Sequence, residues 1–455
     1  MKHFYKALAI AIPILFTLPC FSKVKHVILI SIDGFHPDMY LDKSWPCPNL
    51  RYLMKNGTYA DYMKGVFPSF TYPSHTAMVT GALPARSKIL YNQPIGSQGE
   101  WYWYANSIKV PTLWQAAHQN HLTTAAVMWP VTVRADIDYN ISELWDISHP
   151  EDRITVARKY TNPTGLTEEL ERNATGKLDA SNMDESHFSM DDNCGRMAAY
   201  LIQKYKPNFL ALHLISADEN EHDYGRDADS VRLAMESNDR IIGNVLESID
   251  KAGIKDSTAV IIVGDHGFAT IHTVMRPNML IKGIPAKFVA SGGSCFLYRY
   301  PATTKNEIPG IVKAFTDSLD KLPKDKRELL RIVYRKELDQ MGADSNAVLA
   351  LTAEPGMVFS ASTTSSKTIN HGAGTLIQQS LLEGVFYPTH GGHHGYDPNI
   401  PEMYTGFIAA GADIVKGGHI QSLSEPDIAV LIAKLLGINF PTPDGHLTSG
   451  IIQNN

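Results

Sequence analysis

Three apolar runs constrain this chain most, because each ends at or just before an acidic residue. Val27-Ile-Leu-Ile-Ser-Ile32 is a continuous β-branched run that stops at Asp33-Gly34, as a strand buried on both faces does where its loop begins. Phe209 to Ile215 and Thr258 to Val263 repeat the pattern ahead of Asp218 and Asp265, and Thr123 to Met128 reads as a further strand. Each of these later runs follows a segment with helical spacing. The clearest such helix spans Asp229 to Ala252, with Val231, Ala234, Met235, Ile241, Ile242, Val245 and Ile249 on one side and Gly253 as its stop. The alternation predicts an α/β fold, a mostly parallel sheet flanked by helices. Ligands in such folds gather outside the carboxyl ends of the strands, so Asp33, Asp218 and Asp265 converge on one edge and suggest a metal site.

With 455 residues, 44% hydrophobic and 19% charged, the chain can bury a large core as one elaborated domain or two closely joined ones. Its formal net charge of −6 provides no global basic field, which argues against a stable nucleic-acid complex and for a small substrate. Residues 1–22 read as a secretory signal: Lys2 and Lys6 form a basic start, Ala7 to Leu18 an apolar run, and Cys20-Phe21-Ser22 a small-residue exit. That run falls short of the roughly 20 apolar residues of a spanning helix and contains Pro13, so the expectation is export to a periplasmic or secreted location with no transmembrane segment in the mature chain. Thr17 and Pro19 are poor neighbours for a lipid-attached Cys20. Removing the signal leaves Cys47, Cys194 and Cys295, enough for one disulfide at most.

The strand and helix rhythm divides the mature chain into a first core segment, 23–275, an inserted cap, 276–384, and a second core segment, 385–455. Within the cap, Cys295-Phe-Leu-Tyr-Arg-Tyr300 precedes an amphipathic stretch near Ile308 to Leu322 and a Lys/Arg-rich stretch from Lys324 to Lys336. The core resumes with Tyr404 to Ala410 as a strand. Glu425 to Leu436 follows as a helix opened by Ser424 and Pro426 and stopped by Gly437.

Asp218-Glu-Asn-Glu-His222 and Asp265-His266 each pair a carboxylate with an imidazole behind a strand, a donor set that suits zinc. A single Asp-x-x-x-His is usually a surface pair; its recurrence at strand ends is what favours ligation. His390-Gly-Gly-His-His394-Gly-Tyr-Asp397 gathers histidines among glycines, which let backbone approach a ligand closely, and its bland alternative is a solvated loop. In Phe67-Pro-Ser-Phe-Thr71-Tyr-Pro-Ser-His75, Thr71 stands just before a helix opened by Pro73 and stopped by Gly81. A helix start offers free N–H groups to a phosphate, although a threonine there also serves as a simple N-cap. His75 reads as a supporting residue.

Ile32-Asp33-Gly34, Thr71-Tyr-Pro-Ser-His75, Asp218-x-x-x-His222, Gly264-Asp265-His266-Gly267 and His394-Gly-Tyr-Asp397 occur in this order along nearly the whole mature chain. Together they resemble the nucleotide pyrophosphatase/phosphodiesterase family of the alkaline phosphatase superfamily. The resemblance implies an alkaline-phosphatase-like three-layer sandwich and two Zn2+ ions per chain. Asp33, Thr71, Asp265 and His266 would surround one ion, and Asp218, His222 and His394 the other. It also implies that Thr71 is a nucleophile transiently phosphorylated by a phosphate-ester substrate, a nucleotide being one candidate. Asn92 matches the asparagine that holds a phosphoryl oxygen, and Tyr72 the aromatic position beside the leaving nucleoside.

Three positions depart from the family pattern: Ser74 stands for asparagine, Glu221 for glycine and Gly264 for serine. None is a ligand, but they weaken the case for a nucleotide substrate. Phosphomonoesterase and phosphonoacetate hydrolase activities fit the same scaffold, as does a non-catalytic zinc-binding protein, which would need neither Thr71 nor Asn92. Tyr72, the run Trp101-Tyr-Trp-Tyr104 and Trp129 are candidate pocket walls or core. Sulfatase chemistry is disfavoured, since Thr71-Tyr-Pro-Ser-His75 lacks the convertible residue and the arginine, and Cys47-Pro-Asn-Leu-Arg51 has Asn49 where proline is required.

Overall fold

The computed structural model describes residues 24–363 and 384–453. The expected signal, residues 1–22, lies outside the described residues. Six early strands, β1 (His26–Ile32), β2 (Gly57–Lys64), β3 (Thr124–Val127), β4 (Tyr139–Ile141), β5 (Phe209–Leu214) and β6 (Thr258–Gly264), join two late ones, Phe407–Gly411 and Gly418–Ser424, in one eight-stranded sheet. Strand β1 sits between β5 and β6 and runs parallel to both, so that Ile32 is level with Leu214 and Gly264. This register brings the residues that follow Ile32 and Gly264, and the helix Ser216–Tyr224 that follows β5 and carries Asp218 and His222, to one edge, and the β-branched sequence of β1 is buried along its whole length.

Alternate side chains of β1 feed two separate cores. Ile28, Ile30 and Ile32 pack with Met197 and Ala198 of the helix Phe188–Tyr205 and with Ile241, Ile242 and Val245 of the helix Asp229–Lys251. On the other face, Val27 and Leu29 share a cluster with Met78 and Val79 of the helix Thr71–Thr80 and with Ile428 and Ile432 of the helix Glu425–Leu436. The result is the helix, sheet, helix layering that the sequence pattern predicts. Ser424 and Asp427 form a capping box at the start of the last helix. Gly437 closes it with φ 67°, a left-handed conformation that a side chain would disfavour.

The strand expected over Tyr404 to Ala410 begins later, at Phe407, and is antiparallel to its neighbours β6 and β2. The residues before it cross between elements instead: the Thr405 N–H donates to the Met63 carbonyl and the Gly406 N–H to that of Phe35. Ala286–Ser291, Ser294–Arg299, Leu330–Tyr334 and Leu349–Ala353 make a separate antiparallel sheet. The amphipathic stretch is the helix Ile308–Leu319, whose Ile311, Phe315 and Leu319 are buried, Phe315 against Phe288. The Lys/Arg-rich stretch supplies the short helix Lys324–Arg327 and the outer strand Leu330–Tyr334. Cys47, Cys194 and Cys295 are buried and free. No helix among the described residues is long and apolar enough to cross a membrane.

The packing explains one departure from the family pattern. A Cβ at Gly264 would lie 2.0 Å from Thr405 Oγ1 and 2.4 Å from the Phe35 carbonyl oxygen. Thr405 Oγ1 itself donates to that carbonyl at 2.8 Å, so the Thr405 hydroxyl occupies the space a serine at 264 would need. Gly264→Ser should therefore destabilise the protein by about 1–3 kcal/mol through overpacking. The double variant Gly264→Ser, Thr405→Gly should recover part of the loss, as measured by denaturant midpoints; a fully stable single variant would contradict the steric reading.

Candidate active site

Thr71 opens the buried helix Thr71–Thr80, with Phe70 in extended conformation before it and Gly81 ending it. As the first helical residue, Thr71 has an N–H with no partner inside the helix. Its Oγ1 lies 3.4 Å from His266 Nε2. Asn92 comes from a distant loop, and its Oδ1 accepts the Tyr72 N–H at 3.0 Å. That bond commits the amide oxygen to the helix and leaves the Asn92 NH2 group as a donor beside Thr71.

Around Thr71 the sheet edge forms two clusters, Asp33 with Asp265 and His266, and Asp218 with His222 and His394. Within each, the available ligand atoms lie within 4.8 Å of one another. His266 Nε2 is 3.3 Å from Asp33 Oδ1, 3.3 Å from Asp265 Oδ2 and 3.9 Å from Asp218 Oδ1, which puts it at the junction of the two. The His266 and His394 rings stack with centroids 3.7 Å apart. In the second cluster, His222 Nε2 is 3.5 Å from Asp218 Oδ2 and His394 Nε2 is 4.0 Å from Asp218 Oδ1. Backbone carbonyls fix both rings: His222 Nδ1 meets Gly392 O at 3.2 Å and His394 Nδ1 meets Ser69 O at 2.9 Å. A carbonyl only accepts, so each Nδ1 carries the proton and each Nε2 presents a lone pair to the centre. Of the three clustered histidines, His394 is the one turned inward; His390 is exposed, and His393 Nδ1 accepts the His394 N–H.

The electrostatics identify what the clusters lack. Burial pushes the Asp33 carboxyl well above its ordinary value, reinforced by Asp265 and Asp218. Burial likewise pushes Asp218 up to about 8 and Asp265 up to about 7. Burial holds His222 down at about 4, and burial with neighbouring imidazoles holds His266 and His394 well below the ordinary range. Asp33 Oδ1, Asp218 Oδ1 and Asp265 Oδ2 are left without a hydrogen bond. Buried carboxylates with spare oxygens, facing neutral imidazoles with spare lone pairs, fit divalent cations with oxygen and nitrogen preference.

One contributor escaped the sequence reading. His213, in β5, points Nε2 at Asp33 Oδ2 over 3.0 Å while its Nδ1 faces the Met128 carbonyl at 3.1 Å, so it holds Asp33 in place. The only trace of this in the sequence is a lone histidine inside the otherwise apolar run Phe209 to Ile215. His75 is a further support: its Nδ1 meets the Thr71 carbonyl at 2.8 Å and its ring lies against those of His213 and Trp129. Glu221 turns away from the centre and lies under Gly34, where a Cβ would be 2.1 Å from its Oε2.

Of the aromatic candidates, Trp129 is core and Tyr72 is also fully buried, with the edge of Trp101 5.1 Å from its ring. Trp101 is only half-buried, so it, rather than Tyr72, offers accessible aromatic surface near Thr71. Beneath this layer, burial pushes the Glu143 carboxyl from 4.5 up to about 8, outweighing Arg153 4.0 Å away.

A family model described as "Type I phosphodiesterase / nucleotide pyrophosphatase" matches residues 27–397. The chain belongs to that family. It is a hydrolase acting on phosphoric ester or phosphoanhydride bonds. Among curated relatives, the bis(5'-adenosyl)-triphosphatase enpp4 of Mus musculus is 24% identical over 447 residues, covering 94% of this chain and 81% of the relative. Ectonucleotide pyrophosphatase/phosphodiesterase family member 7 of Rattus norvegicus is 22% identical over 449 residues, covering 94% of this chain and 86% of the relative. Among solved structures, murine ectonucleotide pyrophosphatase/phosphodiesterase 5 matches with a TM-score of 0.67 at 16% identity, covering 94% of this chain and all of that one. The two share the fold.

Two outcomes follow from this geometry. His213→Phe should keep the fold but weaken retention of divalent metal by about 10–100-fold in chelator competition, whereas unchanged retention would show that Asp33 needs no such support. Glu143, whose folded pKa is raised, contributes stability below about pH 4.5 that is lost as pH climbs towards 8. Glu143→Gln should therefore gain on the wild type across that window in denaturation midpoints taken at several pH values; parallel curves would refute the assignment.

Proposed function

We propose that the chain is an exported phosphodiesterase that holds two zinc ions and cleaves phosphate diesters through a phosphothreonine intermediate on Thr71. Asp33, Thr71, Asp265 and His266 would hold one ion, and Asp218, His222 and His394 the other. When bound, zinc supplies positive charge to offset the clustered carboxylates and lowers the pKa of a coordinated hydroxyl. Asp33 through His394 otherwise fix positions, and Thr71, Asn92 and the helix start act on the substrate.

The observation that carries this reading is Thr71 Oγ1 at a helix N-terminus, 3.4 Å from the imidazole that joins the two clusters. From there Thr71 Oγ attacks phosphorus in line with the leaving oxygen, forming the Thr71 O–P bond as the ester bond breaks. The Thr71 hydroxyl proton is released as that bond forms, and the leaving oxygen departs on the opposite side and takes up a proton in its place. In the second step the proton that water loses returns to the Thr71 oxygen. The Asn92 NH2 and the Thr71 N–H hold non-bridging oxygens, whose charge grows in the transition state. Water then attacks from the vacated side, the Thr71 O–P bond breaks, and a monoester leaves with net retention at phosphorus. Retention is the consequence of two in-line displacements.

Support also comes from the family. A structure of murine ectonucleotide pyrophosphatase/phosphodiesterase 5 in complex with AMP is that of an inactive threonine-to-alanine variant. A nucleotide is thus one candidate substrate here, alongside other small phosphate esters. Export rests on the basic start and apolar run at 1–22. We read 276–384 as a cap over a core made of 23–275 and 385–455.

The test is steady-state hydrolysis of nitrophenyl thymidine monophosphate, a diester, against nitrophenyl phosphate, a monoester, by zinc-loaded protein. The diester should be strongly preferred, and Thr71→Ala should lower its turnover by at least about 10³-fold while zinc content and fold persist. Near-normal turnover in Thr71→Ala would remove the nucleophile assignment. Preference for the monoester would make the protein a phosphatase.

A further inference from the structure

Glu221 stands at a position where the family pattern has glycine, and it is fully buried among the ligand-bearing segments without being a ligand. It lies in the helix Ser216–Tyr224, directly before His222. Its carboxyl sits against Gly34, where a Cβ would be 2.1 Å from Oε2, and its carbonyl sits against Gly392, where a Cβ would be 2.4 Å away. Gly34 follows Asp33, has φ 75°, and donates its N–H to Asp265 Oδ1 at 3.2 Å. Gly392 stands two positions before His394, and its carbonyl fixes the His222 ring. One residue thus touches segments that belong to both ligand clusters.

A second buried residue backs the Glu221 carboxyl. His36 Nε2 lies 3.6 Å from Glu221 Oε1, and the Trp45 ring stands edge-on to His36 with centroids 5.6 Å apart. Arg226 donates through one nitrogen to His36 Nδ1 at 3.1 Å and to Asp38 Oδ2 at 2.7 Å. A guanidinium only donates, so Nδ1 accepts and the proton of the neutral ring is on Nε2, facing Glu221. Burial and the Arg226 charge hold His36 well below its ordinary range, which favours that neutral ring. Asp38 is exposed, so Asp38, Arg226, His36 and Glu221 form a chain from the surface to the underside of the Asp33–Gly34 turn.

Buried carboxyl oxygens without hydrogen bonds are costly, and both oxygens of Glu221 are in that condition among the described residues. An apolar side chain would fill the space at less cost, so the carboxyl is the feature that needs a function. The guanidinium beside His36 disfavours a further cation there. Resting on the two-cation reading of the centre, we infer that Glu221 is a positioning residue. Braced by His36 and Arg226, it wedges the Asp33–Gly34 turn onto Asp265 and keeps the two ligand clusters in register. Its removal therefore acts on Asp33 and Asp265, which follow other strands, as well as on the adjacent His222.

Two readouts distinguish this role from general packing. Amide exchange in the segment 33–37 is followed in the metal-free protein, and retention of Co2+ against a chelator, with the visible absorption of the bound ion, in the loaded protein. Glu221→Ala should speed exchange at Gly34 by at least about tenfold and weaken Co2+ retention by about 10–100-fold, with a changed absorption spectrum. Glu221→Gln, which keeps the shape and an acceptor for His36, should restore most of both. Arg226→Met should show the same losses in smaller measure, although Arg226 touches no ligand, and it decides the matter if Glu221→Ala does not fold. Exchange and retention unchanged in these variants, or losses that Glu221→Gln does not relieve, would overturn the inference. Failure of the two-cation reading would appear instead as a wild-type protein that binds no Co2+, and amide exchange would still judge the wedge.

Discussion

Burial of three carboxylates at one end of a parallel sheet, reinforced by neighbouring negative charge, is the constraint on which the rest of this structure turns. Asp33 and Asp265 just past strand ends and Asp218 in the helix Ser216–Tyr224 are taken out of water, and among the described residues they pair with histidines and not with a lysine or arginine. Without added positive charge, burial raises the pKa of each carboxyl and so favours its protonated form. The imidazoles do not supply that charge, because burial favours their neutral forms, and those of His222 and His394 commit their Nδ1 protons to backbone carbonyls. A fold that assembles such a centre spends stability on it and recovers that stability when cations arrive.

Everything around the centre serves its geometry. The register of β1 between β5 and β6 sets the spacing of the acid-bearing segments, and Thr71 is brought to them by a helix whose every residue is buried. His213 and His75 lie between that helix and the sheet, coupling the position of Thr71 to that of Asp33. The histidine loop is held by the Ser69 carbonyl on His394 and by Gly292 and Gly293, the turn between the strands Ala286–Ser291 and Ser294–Arg299, which pack against the His394 carbonyl and the Tyr396 ring. Fold and centre are thus one connected set of contacts.

Much of this could be read from residue order alone, because strands buried on both faces have a strong signature and their C-terminal acids stand out against it. The layered fold and the convergence of Asp33, Asp218 and Asp265 were legible for that reason, whereas the division into two clusters and the choice of His394 came from the resemblance to the family. What stayed hidden depended on side-chain direction and on contacts between distant segments. Tyr72 lies next to Thr71 in sequence, but helix geometry turns its ring into the core and leaves Trp101 on the accessible side. The role of Thr405 beside Gly264 spans 141 positions of chain and has no local pattern. The start of the strand at Phe407 was misplaced because Tyr404 and Thr405 are good strand residues that the fold uses as a crossing. His213 was invisible because one polar residue in an apolar run says nothing about its partner.

The central claim is that each carboxylate and histidine cluster is a cation site. The most direct measurement is a crystal structure of the zinc-loaded protein with diffraction recorded at the zinc absorption edge. Two anomalous peaks are predicted, one coordinated by Asp33, Asp265 and His266 and the other by Asp218, His222 and His394. A single peak, none, or peaks held by other residues would contradict the account.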